Sequence, residues 1–88
     1  MSESDPLPRV TLYSRPGCHL CDVARDAILA IRSEGADFAL EEIDIESDDE
    51  LHAAYLERIP VVAVEGELVS ELALDADALR SRLDTVRG

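Results

Sequence analysis

Arg9-Val-Thr-Leu-Tyr-Ser-Arg-Pro-Gly-Cys-His-Leu-Cys21 opens as a strand, breaks at a turn and restarts as a helix carrying two cysteines. Arg9 to Ser14 alternates and is rich in β-formers, so it reads as a strand. Arg15-Pro16-Gly17 is a turn. From Cys18 to about Glu34 the apolar residues Leu20, Val23, Ala24, Ala27, Ile28 and Ile31 follow helical spacing, and Gly35 is a natural stop. Both cysteines therefore fall in the first turn of a helix that follows a strand. Cys18 is placed where unpaired amides and the helix dipole favour an anion, which lowers a thiol pKa. Arg15 adds a permanent positive charge nearby. Cys21 sits one turn inside, shielded and placed to attack a mixed disulfide formed on Cys18. A dithiol redox site is the leading reading. Half a metal site and two ordinary buried thiols are the other two. Zinc needs four ligands and there is no second CxxC, although His19 and His52 complete a Cys₂His₂ set on paper. No metal is expected.

Working outward, Asp37 to Ile45 reads as a second strand, with Phe38, Leu40, Ile43 and Ile45 as its apolar members. Ser47-Asp-Asp-Glu50 has the pattern of a capping box, and Leu51, Ala54 and Tyr55 give a short helix a buried stripe. After Pro60, Val61-Val-Ala-Val64 is an apolar run expected of a central strand. Glu65-Gly66 turns into a short strand near Glu67–Ser70. Asp75 is placed to cap a last helix with Leu79, Leu83 and Val86 on one face. The order is β-α-β-α-β-β-α. A four-stranded mixed sheet with three helices follows, its first two strands parallel and its last two an antiparallel hairpin. A single α/β domain is expected over residues 9–88, with 1–8 a disordered leader.

The chain of 88 residues leaves no room for a second core. Its net charge is −12, from 20 acids against eight bases, all of them Arg, which disfavours nucleic acid and anionic membranes as partners. No apolar run spans a membrane and Met1–Pro6 lacks the pattern of a signal peptide, so a cytoplasmic location is expected. In that compartment a purely structural disulfide is uncommon, which favours redox chemistry. The charge is divided. Residues 9–32 carry four Arg against two Asp, whereas residues 37–77 carry fourteen acids against Arg58 alone. Seven acids between Glu41 and Glu50 read as a solvated face or as a docking surface for a basic partner such as a reductase.

Tyr13-Ser-Arg-Pro-Gly-Cys18-His-Leu-Cys21, Ile59-Pro60-Val61 and the element order together resemble a glutaredoxin of the thioredoxin superfamily, of the small bacterial type with a PGCxLC site. The resemblance spans residues 9–87. It implies a thioredoxin-like fold and a thiol–disulfide oxidoreductase in which Cys18 is the nucleophile and Cys21 resolves. It also implies that Arg15 helps hold a glutathione carboxylate. The backbone of Ile59 and a cis-Pro60 would align the substrate beside the reactive cysteine. No cofactor is implied; glutathione or another low-molecular-weight thiol, or a reductase, would restore the dithiol. Protein or small-molecule disulfides would be the substrates, and a monomer is expected.

Two departures stand out. The Pro-Tyr common between the cysteines is here His19-Leu20, and His19, when protonated, is a candidate for lowering the Cys18 pKa. The Gly-Gly followed by Cys-Asp-Asp that holds the amino end of glutathione has Val69-Ser70-Glu71-Leu72 in its place. A metal or iron–sulfur carrier, or a non-catalytic redox adaptor, is the alternative reading.

Overall fold

Leu12 decides the orientation of the first strand. In the computed structural model, which describes residues 7–87, Val10 and Leu12 are fully buried on the face that the two longer helices cover. The strand itself, β1, is Arg9–Ser14. It is followed by α1 (His19–Ser33), β2 (Ala39–Asp44), a 3₁₀ turn (Ile45–Ser47), α2 (Asp49–Tyr55), β3 (Val61–Val64), β4 (Glu67–Glu71) and α3 (Ala76–Arg87). Among the described residues these form one four-stranded sheet in the order β2-β1-β3-β4. β1 and β2 are parallel, and β3 runs antiparallel to both β1 and β4. This is the expected α/β arrangement. Residues 1–6 of the expected leader lie outside the described residues. The Pro8 carbonyl already accepts from the Ala39 amide, at 2.9 Å.

Register places the ends of three strands together. Ser14 pairs with Asp44, so β1 and β2 finish level, and Val61 opens β3 opposite Tyr13. The turn carrying the cysteines and the segment carrying Pro60 therefore meet at one end of the sheet. At the opposite end Glu65 and Gly66 both have positive φ (52° and 84°), which suits the tight hairpin between β3 and β4. Glu65 is held there because its amide donates to the Arg9 carbonyl at 2.9 Å while its carboxylate accepts from the Arg9 amide at 2.6 Å.

The core is aliphatic. Ala24, Ile28 and Ile31 of α1 meet Leu79 and Leu83 of α3 above Val10, Leu12, Val62 and Val64, with Phe38 closing one end. The buried arc of α1 is Cys21, Ala24, Ile28 and Ile31. Leu20 and Val23, expected on that arc, are 55% and 51% exposed. Each precedes a buried residue, and one residue turns a helix by about 100°, which carries both off the narrow buried stripe. Val86 is likewise exposed, beside Leu7, Pro8 and Gly66 at the open end of the sheet. The expected stripe of α2 is also corrected. No residue of this two-turn helix is fully buried, and Ala54 is exposed. Its aromatic contact with the sheet is Tyr55 against Tyr13, with ring centroids 4.8 Å apart.

The start of α2 differs from the capping box read at Ser47. Asp44 first caps the 3₁₀ turn, accepting from the Glu46 amide at 2.8 Å, and Ser47 donates its hydroxyl to the Asp44 carbonyl at 2.6 Å. The helix N-cap moves one residue on to Asp48, whose carboxylate accepts from the Glu50 and Leu51 amides at 2.8 and 3.3 Å. Asp48→Ala is expected to cost about 1 kcal/mol in urea unfolding, and Ser47→Ala only a few tenths. A larger loss in Ser47→Ala than in Asp48→Ala would place the cap at Ser47 instead. Asp75 caps α3 as expected, accepting from the Ala78 amide at 3.0 Å.

Candidate redox site

The turn between β1 and α1 is built by its sequence. Pro16 and Gly17 occupy the two central positions of a turn closed by the Cys18 amide donating to the Arg15 carbonyl at 3.3 Å. Proline suits the first of those positions, and the φ of +80° at Gly17 suits a residue without a side chain. This turn delivers Cys18 to the N-cap of α1 in an extended conformation. Its Sγ accepts from the Cys21 amide at 3.2 Å. Cys18 is half-buried, whereas Cys21 is 1% exposed. The two are joined as a disulfide, with Cα atoms 5.3 Å apart. One cysteine is thus reachable and placed at a helix N-terminus, and the other lies beneath it.

Pro60 is buried and its peptide bond with Ile59 is cis, as expected. Its loop is fastened from both sides. The Ile59 amide donates to the Tyr55 carbonyl at 3.1 Å and the Leu72 amide to the Arg58 carbonyl at 2.8 Å. Ile59 itself is half-buried. Tyr13, at the end of β1, packs on Tyr55, and burial raises its phenol pKa, with the neighbouring Tyr55 and Glu41 acting in the same direction.

Folding redistributes the charge read along the chain. The Arg15 guanidinium, exposed in the turn, faces Glu46 at 3.9 Å. Arg9 faces Glu41 at 3.8 Å. Arg25 is engaged by Asp22 at 3.2 Å and by Glu42 at 2.8 Å. The acidic second strand lies alongside the basic first segment, so the net positive charge expected around the cysteines is largely neutralised. Asp22, a like charge next to the site, is balanced by Arg25. What remains to favour a Cys18 thiolate is the N-terminus of α1 and the amide aimed at its sulfur. His19 is the first residue of α1 and is exposed. His52 lies on α2, and among the described residues no three His, Cys, Asp or Glu side chains converge on one point.

One group of residues was not legible as a unit. Glu42 accepts two hydrogen bonds from Arg25, Nε to Oε1 and Nη2 to Oε2, both at 2.8 Å, and a third from the Ser14 hydroxyl at 2.8 Å. These Arg25 bonds above all, and the Ser14 hydroxyl as well, hold the Glu42 carboxyl below the usual carboxylate range despite its partial burial. The Arg25 guanidinium is in turn held more firmly charged by the Glu42 hydrogen bonds. Arg25 stands four residues after Cys21, and nothing in that spacing names its partner. Its partner became visible only when parallel pairing set β2 beside β1.

With this geometry in view, comparison with known proteins is decisive. Residues 9–84 match the glutaredoxin-like domain family (DUF836). The chain belongs to the glutaredoxin-like domain family. It is 30% identical over 84 residues to the Glutaredoxin-like protein YDR286C homolog of Dictyostelium discoideum, covering 88% of this chain and 76% of that one. The solved structure of protein XcR50 from X. campestris is similar at 36% identity with a TM-score of 0.70, over 86% of this chain and 96% of the other. A thioredoxin variant from Halobacterium salinarum shares the fold, with a TM-score of 0.64 at 24% identity over 93% of this chain and 76% of its own. The glutaredoxin-like chain therefore has the thioredoxin-like fold and a CxxC pair, Cys18 and Cys21, at the start of its first helix. No helix among its described residues is long and apolar enough to cross a membrane.

Proposed function

We propose that this glutaredoxin-like protein is a thiol–disulfide oxidoreductase that reduces disulfides or mixed disulfides through Cys18 and Cys21. The observation that carries the reading is the half-buried Cys18 at the N-cap of α1, its sulfur facing an amide and bonded to the buried Cys21. The Cys18 thiolate attacks one sulfur of a substrate disulfide. That S–S bond breaks, one substrate half leaves as a thiolate and takes a proton from solvent, and the other half stays on Cys18. Cys21 then loses its proton and attacks the Cys18 sulfur. The second half leaves, and the intramolecular disulfide forms. Two electrons have passed from the dithiol to the substrate. Oxidation of two thiols, from a low-molecular-weight thiol such as glutathione or from a reductase, restores the dithiol, and no bound cofactor takes part.

In this reading Arg15 offers its guanidinium to a substrate carboxylate, in competition with Glu46. The Ile59-Pro60 backbone aligns the substrate chain, and His19 bears on the thiolate from the first helical residue. The working species is a cytoplasmic monomer. Cys21→Ser, reduced and mixed separately with oxidised glutathione and with insulin, tests the reading. A stable adduct of one substrate half on Cys18 is expected with at least one of them, alongside turnover by the parent protein. No adduct with either, and no turnover, would remove the proposal.

A further inference from the structure

Glu42 gathers three hydrogen bonds from two other elements onto one carboxylate. The Ser14 hydroxyl comes from the residue preceding the active-site turn, and the bidentate Arg25 comes from the helix that bears both cysteines. The side chains of Arg25 and Glu42 are about one third exposed (35% and 33%), so the pair is neither a loose surface contact nor sealed in the core. A bidentate arginine–carboxylate bond with a further hydroxyl donor is stronger and more directional than an ordinary surface ion pair. Its position matters as much. Arg25 lies on the helix that bears both cysteines, four residues after Cys21 and seven after Cys18, hence about 10 Å along the axis from the Cys18 backbone. Arg15 and Gly17 of the active-site turn, with Asp22, Arg25 and Glu42, line a cleft of about 330 Å³ that joins the turn to this pair.

We infer that Arg25 and Glu42 are positioning residues that set the dithiol–disulfide equilibrium of Cys18 and Cys21 by holding opposite charges in balance beside the first turns of α1. The inference rests on the proposed redox role of the cysteines. At neutral pH, reduction adds two electrons and one proton to the disulfide and leaves a Cys18 thiolate and a Cys21 thiol. Any charge near that thiolate changes the stability of the reduced form relative to the disulfide, which bears none. The charged and titratable groups around the pair come from each neighbouring element. They are Arg15 and Glu46, which face each other, Asp22, which faces Arg25, Asp44 at the end of β2, and the exposed His19. Removing the Glu42 charge leaves Arg25 balanced by Asp22 alone, so the trio goes from one net negative charge to none, which favours the thiolate. Removing the guanidinium leaves Glu42 and Asp22 uncompensated and disfavours it. Two substitutions at one hydrogen-bonded pair therefore have opposite effects, which a contact serving only to hold the fold does not produce.

The test equilibrates each full-length protein with fixed ratios of reduced and oxidised dithiothreitol. That dithiol supplies the two electrons and two protons and closes to its own cyclic disulfide, one proton going to Cys21 and the other to solvent. Free thiols are then alkylated and counted by mass. Glu42→Gln is expected to move the equilibrium about three- to tenfold towards the dithiol, and Arg25→Gln by a similar factor towards the disulfide. A tenfold change corresponds to about 30 mV. The double variant Arg25→Gln/Glu42→Gln and the uncharged change Ser14→Ala are each expected to stay within about twofold of the parent protein. Shifts of the same sign in the two single variants overturn the inference. So does the absence of a shift beyond twofold, or a Ser14→Ala effect as large as theirs. A parent protein that does not equilibrate with dithiothreitol at all removes the redox reading, and this inference with it. A parent protein that equilibrates while its variants do not move removes this inference alone.

Discussion

Cys18→Ser is expected to abolish disulfide reduction, a loss on the order of a thousandfold or more, because a serine hydroxyl at neutral pH has neither the charge nor the sulfur that exchange requires. The same substitution should remove a distinct titration. In the reduced protein, thiolate absorbance against pH is expected to show one cysteine titrating well below the value of about 8.5 for a free thiol. Cys18→Ser eliminates that step, and Cys21→Ser retains it. The cause is local. Cys18 is the N-cap of a fifteen-residue helix, and its sulfur already faces the Cys21 amide at 3.2 Å. The arginines contribute less than their number implies, since Arg15 faces Glu46, and Arg25 is shared by Asp22 and Glu42. A Cys18 titrating at or above the free-thiol value would show that the helix terminus alone does not activate it.

The second large effect concerns the core. Leu12→Ala is expected to cost about 2–5 kcal/mol. Leu12 is fully buried on β1, an inner strand flanked by β2 and β3, and its side chain faces α1 and α3. A chain of 88 residues has about 4–13 kcal/mol of stability in total, so this one deletion is expected to lower the thermal midpoint by about 10 °C or more. Leu20→Ala, in contrast, is expected to change stability by no more than about 0.5 kcal/mol, since that side chain is 55% exposed. Urea unfolding of the two variants decides the matter, and comparable losses would contradict the packing described. The pair is informative because both leucines belong to apolar patterns of the same stretch of chain.

Most of the element order was readable because the determinants are local. Arg9–Ser14 alternates, Pro16-Gly17 makes its own turn, and Val61–Val64 is uninterrupted. The α1 limits were readable too, with Cys18 before the first turn and Gly35, at a φ of +110°, just past the C-cap. Details that depend on competition between neighbours were not. The Ser47 and Asp48 side chains both suit an N-cap, and the choice fell to Asp48 because Asp44 had already drawn Ser47 into a 3₁₀ turn. Nor does helical spacing alone say how wide the buried arc is. Leu20, Val23 and Val86 fit an apolar face by spacing and are exposed, Leu20 and Val23 because each lies one residue, about 100°, off the buried arc of α1.

The cysteine pair, its place at a helix start, the proline before the central strand and the mixed four-stranded sheet were all determined by the sequence itself, since each rests on spacing within a few residues or on the order of elements. Tertiary structure alone decided which charges surround the pair. Arg15, Arg25 and Glu42 through Glu46 are distant along the chain, and only the parallel register of β1 with β2 brings acids against the basic segment. The same register decided that Ser14, Arg25 and Glu42 form one hydrogen-bonded group. Strand pairing is a long-range contact, and a one-residue slip would have turned Glu42 to the other face of the sheet and left Arg25 without this partner.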